Sequence, residues 1–267
     1  LYVMYAGRVV EHGTAKEIFS NPQHPYSLGL LNSVPRLDDM NNSKLIPIEG
    51  APPNLIDLPD SCAFSARCPY RAEACLSHEV PEMRHIEGEH YAACHVNVQV
   101  DQPIKLKDSH ASKHELKDSD EPLVEVVDLK MHFPIKKGLL QRTVGHVKAI
   151  DGINLKIYRG ETLGLVGESG SGKTTLGRCI SRIYQPTYGN IYFEGNDIAT
   201  MPERKLGSLR RRISMIFQDP YGSLDPRQSA GSIVGDPIKI HHLVQNKKEY
   251  YSRVEDLFRT VGLHPSM

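Results

Sequence analysis

The chain has 267 residues, 32 basic and 32 acidic side chains, 39% hydrophobic and 24% charged residues, and a mean hydropathy of −0.39. These values argue against a membrane-embedded protein and against a wholly disordered one, and a net charge of zero argues against reliance on bulk attraction to nucleic acid or acidic lipid. At about 100–200 residues per domain the length allows one or two domains. No run approaches the ~18 consecutive apolar residues of a spanning helix, and Leu1-Tyr2-Val3-Met4-Tyr5 lacks the basic flank of a signal peptide. Beginning in what reads as mid-strand and without an initiator Met, the sequence is expected to be an excerpt of a longer chain.

In chain order, Leu1 to Ala6, Gly7 and then Arg8 to His12 suggest a short hairpin. Thr14 followed by Glu17 is a capping-box pattern opening a helix, which Asn21-Pro22 and His24-Pro25 break. Ser27 is expected to cap a second brief helix through Leu31. Residues 34–60, rich in Pro, Asn and Asp, read as irregular chain. A stretch at 61–96 carries four of the five cysteines, Cys62, Cys68, Cys75 and Cys94. Residues 101–121 mix charged residues with two histidines and no aromatic residue, which marks a linker.

From Leu123 the texture is mixed α/β. Val124 to Val127 and Ile153 to Ile157 alternate as strands, and Thr162 to Val166 is an apolar run of the buried-strand kind. A glycine-rich turn and a helix from Lys173 to Ile183 follow. Asn190 to Phe193 reads as a strand, Gly195-Asn196 as a turn, 203–212 as a helix and Ile213 to Phe217 as another strand. Tyr250, Val254, Leu257, Phe258 and Val261 recur at helical spacing.

The glycine-rich turn, Gly167-Glu168-Ser169-Gly170-Ser171-Gly172-Lys173-Thr174, fits G-x-x-x-x-G-K-[ST] in full. Glycines let the backbone turn with positive φ and bring successive N–H groups, including those of Ser169 and Ser171, against phosphate oxygens. The helix that follows aims its positive end at the same anion. Lys173 would reach the β- and γ-phosphates of a nucleotide, and the Thr174 hydroxyl would ligate Mg²⁺.

With Ala149-Ile150-Asp151-Gly152-Ile153 and Arg159-Gly160-Glu161 before it and Thr175 after it, this stretch resembles the start of an ABC-transporter ATPase domain. Ile216-Phe217-Gln218-Asp219-Pro220-Tyr221-Gly222-Ser223-Leu224-Asp225-Pro226 is similar to the Q-loop phrase of the oligopeptide/dipeptide importer branch. The resemblance implies that Gln218 senses Mg²⁺ and the attacking water, and couples nucleotide state to the membrane subunits. It implies that Phe133 stacks on adenine. The family also has an L-S-G-G-Q-like signature, an apolar strand ending in Asp-Glu and a switch histidine, and none follows Gln218 in this sequence. The stretch is therefore expected to bind ATP at best and not to turn it over alone.

Val3-Met4-Tyr5-Ala6-Gly7-Arg8-Val9-Val10-Glu11 resembles the strand pair after the switch histidine of such a domain. Asn21-Pro22-Gln23-His24-Pro25-Tyr26 with Leu30-Leu31 matches the phrase by which peptide-importer ATPases enter their C-terminal extension. The expected fold class is an α/β P-loop NTPase, the N-terminal half of an ABC-type ATPase domain, preceded by a small irregular cysteine-containing extension of another ATPase domain. The implied organisation is 1–37 as the tail of a first ATPase domain, 38–100 as the extension, 101–121 as linker and 122–267 as part of a second ATPase domain. The function so implied is that of an ATP-binding subunit of a peptide- or glutathione-class importer at the cytoplasmic face of the membrane. Its partners would be transmembrane permease subunits, a second ATPase domain and, indirectly, a solute-binding protein, with no nucleic acid. The alternative is a soluble, non-transport ABC-type ATPase with an iron–sulfur module acting on nucleic acid or ribosomes.

Four thiolates at Cys62, Cys68, Cys75 and Cys94 suit either a [4Fe–4S] cluster or tetrahedral zinc, and the paired C-x₂₋₄-C spacing that zinc favours is absent. By the resemblance, this extension commonly carries these four cysteines. His90 and His95 are possible substitute ligands. Cys179 reads as a small core residue, and Arg204-Lys205 with Arg210-Arg211-Arg212 as a solvated face.

Overall fold

The computed structural model describes residues 1–33, 48–77, 79–98, 121–138, 141–219 and 222–264. Most of the expected irregular stretch at 34–60 and nearly all of the expected linker lie outside the described residues. The chain divides into two compact units, Leu1–Thr200 and Met201–Met267. The first unit thus takes in segments from both sides of the stretch expected to be a linker.

In the first unit, β1 (Tyr2–Tyr5) and β2 (Arg8–His12) form the expected hairpin. Val3, Met4 and Tyr5 are buried almost completely. Helix α1 (Ala15–Ser20) opens on the Thr14 capping box: Thr14 Oγ1 accepts from the Glu17 amide, and the Glu17 carboxylate accepts from the Thr14 amide at 2.7 Å. Helix α2 (Pro25–Asn32) starts three residues before the expected position. Pro25 is preset for a first helical turn and has no N–H to satisfy, and His24 Nδ1 accepts from the Tyr26 amide at 3.1 Å, so His24 and not Ser27 caps the helix. Burial pulls the His24 imidazole down to about 4, which keeps that nitrogen free to accept.

Strands β3 (Arg84–Glu87) and β4 (His90–Ala92) lie in the cysteine-bearing stretch, and sequence periodicity did not reveal them. A long hairpin follows, β5 (Val124–Lys137) and β6 (Arg142–Ile157). Then come β7 (Leu165–Val166), helix α3 (Lys173–Ile180), β8 (Tyr188–Phe193) and β9 (Asn196–Asp197). One sheet has the order β3-β4-β2-β1-β7 and the other β6-β5-β8-β9. The β1–β7 pair is parallel, with Tyr2 opposite Leu165 and Val3 opposite Val166. A strand from the front of the chain therefore runs beside the strand that enters the glycine loop. Val3, Tyr5, Ile18, Tyr26 and Phe64 share one core beneath it. Helix α3 stops at Ile180, because Ser181 caps it and Arg182 takes a positive φ of 53°.

The front of the chain and the extension are also joined by a buried carboxylate. Glu11, fully inaccessible, accepts from the amides of Gln23 (2.6 Å) and His24 (3.0 Å) and from His90 Nε2 (2.7 Å).

The second unit contains α4 (Leu206–Arg210), α5 (Ala230–Ile240) and α6 (Lys247–Thr260). The periodic residues of α6 bury Val254 and Phe258 against Ile238 of α5. The strand expected over Ile213 to Phe217 does not form: these residues are irregular and Ile216 is 94% exposed. An isolated apolar run has no ladder to hold it extended, and among the described residues none pairs with it. Arg210 bonds Glu203 at 2.7 Å on an exposed surface, as a solvated charged face should. Among the described residues no helix is long and apolar enough to cross a membrane.

Candidate functional site

Strand β7, the loop 167–172 and helix α3 form one continuous strand, turn and helix. Three loop glycines sit at positive φ: Gly167 at 149°, Gly170 at 80° and Gly172 at 103°. Gly172 occupies the N-cap of α3 and contributes no side-chain cap, so the first-turn amides face outward at the positive end of the helix. A Cβ on Gly172 would run into the Ala149 carbonyl oxygen. The backbone strain and the clash together lead us to expect that Gly172→Ala lowers the unfolding free energy by about 2–3 kcal/mol. A urea midpoint equal to that of the unsubstituted chain would contradict this geometry.

Lys173 folds back over the loop. Its Nζ donates to the Gly167 and Glu168 carbonyls, both at 2.7 Å, and to Ser171 Oγ at 3.2 Å. Burial lowers its ammonium below the ordinary lysine range, against the opposing pull of Glu168. The ammonium is thereby held over a ring of backbone, ready to exchange carbonyl oxygens for those of an anion. Ser169, Gly170 and Thr174 are exposed at the mouth, Thr175 is half-buried, and Ser171 is buried. Leu176 and Cys179 anchor the underside of α3, and burial pushes the Cys179 thiol up to about 11, consistent with a core residue.

Phe133, half-buried on β5, stands edge-on to Tyr184 with ring centroids 5.6 Å apart. Arg178 lies over the Tyr184 ring and donates to its hydroxyl at 2.8 Å. Gln218 belongs to the second unit, where it is exposed.

Two residues outside the loop, Tyr26 and Arg67, hold it through Glu168, and the motif gave neither of them that place. Glu168 donates its amide to Tyr26 Oη at 2.7 Å, and its carboxylate accepts both terminal nitrogens of Arg67 at 2.8 and 3.2 Å. Tyr26 lies in the phrase at residues 21–26, but no local pattern gives its hydroxyl a target 142 residues away.

Cys62 and Cys68 are half-buried and Cys75 and Cys94 buried, all four as free thiols. Burial raises the thiols of Cys62, Cys68 and Cys94, that of Cys68 to about 11, and the neighbouring cysteines add to each rise. Among the described residues no three His, Cys, Asp or Glu side chains are placed to hold a metal ion, so the structure does not bring the four cysteines expected as ligands into a metal site. His90 is taken up by Glu11 and is not a spare ligand, and His95 is exposed.

Residues 10–75 match the family model described as oligopeptide/dipeptide transporter, C-terminal region, and residues 150–266 match that of ABC transporter. The oligopeptide transport ATP-binding protein OppD of Mycobacterium tuberculosis is 39% identical over 266 residues, 98% of this chain and 43% of the relative. The glutathione import ATP-binding protein GsiA of Escherichia coli K12 is 36% identical over 98% of this chain and 34% of its own length. The oligopeptide transport ATP-binding protein AppF of Bacillus subtilis is 48% identical over 149 residues, 55% of this chain and 45% of the relative. The chain spans less than half the length of each of these relatives.

Proposed function

This chain belongs to the family of ABC-transporter ATP-binding proteins that carry an oligopeptide/dipeptide transporter C-terminal region, and on that premise we infer that it binds ATP with Mg²⁺. The observation that carries the reading is Lys173 bonded across the carbonyls of a glycine loop at the open N-terminus of α3. In this reading the N–H groups of residues 167–175 cradle the phosphates, Lys173 neutralises the β- and γ-phosphates, and Thr174 supplies a hydroxyl to Mg²⁺. The metal would draw off negative charge from the phosphate oxygens. Phe133 is proposed to meet the adenine and Gln218 the metal and the coupling surface. Mg²⁺-dependent heat on titration with ATP tests the reading, and its absence from folded protein defeats it.

The whole protein is proposed to energise uptake of a peptide or glutathione through permease subunits, as a peripheral ATPase at the cytoplasmic face of the membrane. Two ATPase domains would then share the nucleotides, residues 1–37 deriving from the end of one and 122–267 from the beginning of the next. The residues after Gln218 hold no signature or Asp-Glu strand, so this stretch alone should bind nucleotide without appreciable turnover.

For the cysteines we propose a [4Fe–4S] cluster and not zinc. Support comes from the sequence, where four cysteines fall within one short extension and lack the paired C-x₂₋₄-C spacing that zinc favours. Anaerobically purified protein is expected to be brown, with broad visible absorbance and about four irons per chain. Colourless protein, with or without zinc, would overturn this.

A further inference from the structure

Glu168 is an awkward residue for an anion site: it puts a carboxylate at the second position of the loop that is to hold a triphosphate. The structure shows how that charge is managed. Arg67 reaches from the cysteine-bearing extension and forks onto the carboxylate, its side chain only 6% exposed against 27% for Glu168. The guanidinium is held in turn by the Glu49 carbonyl at 2.9 Å, the Ile48 carbonyl at 3.2 Å and Tyr5 Oη at 3.3 Å. It also lies over the Tyr5 and Phe64 rings.

At its other end Glu168 is fixed by Tyr26, whose fully buried ring accepts the Glu168 amide through its hydroxyl. Between these two holds, the Glu168 carbonyl accepts from Lys173 Nζ and from the Ser171 amide. Glu168 is therefore the residue through which the extension grips the loop. The planar fork of arginine suits it for this two-point hold on a carboxylate, which a lysine could not reproduce.

We propose that Arg67 and Tyr26 are positioning residues of the nucleotide site: Arg67 cancels the Glu168 charge beside the phosphates and, with Tyr26, sets the path of the loop. The inference rests on the nucleotide reading above and adds to it a charge relation between Arg67 and Glu168. It places two residues of the segment matching the oligopeptide/dipeptide C-terminal region in direct support of the phosphate loop. Because Arg67 directly precedes Cys68, the support and the thiol cluster share one short stretch of chain.

Mg·ATP titrations of four proteins test the charge relation, each checked for folding by its melting curve. Arg67→Ala should bind about tenfold more weakly, because an uncompensated carboxylate then faces the phosphates across a partly desolvated gap. Glu168→Gln should bind about threefold more tightly than the unsubstituted chain, since Arg67 is then left as a free positive charge. The double variant Arg67→Ala/Glu168→Gln should return to within about twofold of the unsubstituted chain, a rescue that a purely structural role for Arg67 would not produce.

Unchanged affinity in Arg67→Ala, or a double variant as weak as Arg67→Ala, overturns the proposal. If Arg67→Ala fails to fold, Glu168→Gln decides alone, and unchanged or weaker binding by it overturns the proposal. Absence of binding by the unsubstituted chain would instead defeat the nucleotide reading itself, while binding indifferent to these substitutions defeats only this inference.

Discussion

Lys173→Ala is expected to weaken Mg·ATP binding by roughly 100- to 1,000-fold while leaving the chain folded. The fold aims the ammonium into the loop, where it already spans the Gly167 and Glu168 carbonyls at 2.7 Å. A charge-assisted contact contributes about 1.5–3 kcal/mol, and bonds to two phosphate groups would together supply about 3–4 kcal/mol. That energy corresponds to the loss stated. The unbound loop keeps most of its shape without the lysine, because Gly7 donates to the Ser171 carbonyl, Tyr26 accepts from Glu168 and Ser171 donates to the Glu168 carbonyl. Calorimetry at matched protein concentration, with melting curves as control, makes the comparison. A variant that binds within threefold of the unsubstituted chain would show that the loop does not grip phosphate through Lys173.

Glu11→Ala should lower the unfolding free energy of the first unit by about 3–5 kcal/mol. The carboxylate is completely buried and answers three donors, the amides of Gln23 and His24 and the ring of His90. Alanine would leave all three without an acceptor in a site closed to water, and each orphaned polar group costs about 1–3 kcal/mol. For a unit of this size the loss amounts to a fall in melting temperature of about 10 °C. Glu11→Gln keeps one carbonyl oxygen but points an amide at a neighbouring donor, so an intermediate loss is expected. Chemical denaturation measures both variants. A loss below about 1 kcal/mol for Glu11→Ala would mean that water reaches these donors after all.

Local elements were legible in the sequence to the extent that their determinants are contiguous. The capping box at Thr14 and Glu17, the hairpin at 2–12 and the amphipathic spacing of α6 all formed where their patterns lay. The run Ile213 to Phe217 carried a comparable apolar signal and formed no strand, because a strand needs a neighbour and its own residues cannot supply one. The start of α2 was misplaced because proline at the first helical position outweighed the more familiar serine cap. Strands β3 and β4 were missed because both are too short to establish a period.

The glycine loop could be read from residues 167–174 alone, since phosphate contact there depends on backbone φ, an absent Cβ and one lysine, all set within eight consecutive positions. Everything that holds this loop from outside was decided by tertiary structure. The Tyr26 hydroxyl lies 142 positions from the amide it accepts, Arg67 lies 101 from the carboxylate it pairs, and Glu11 lies 79 from His90. Closing such distances costs chain entropy that only the packed core around Val3, Tyr5, Tyr26 and Phe64 offsets, and that balance leaves no periodic trace along the chain.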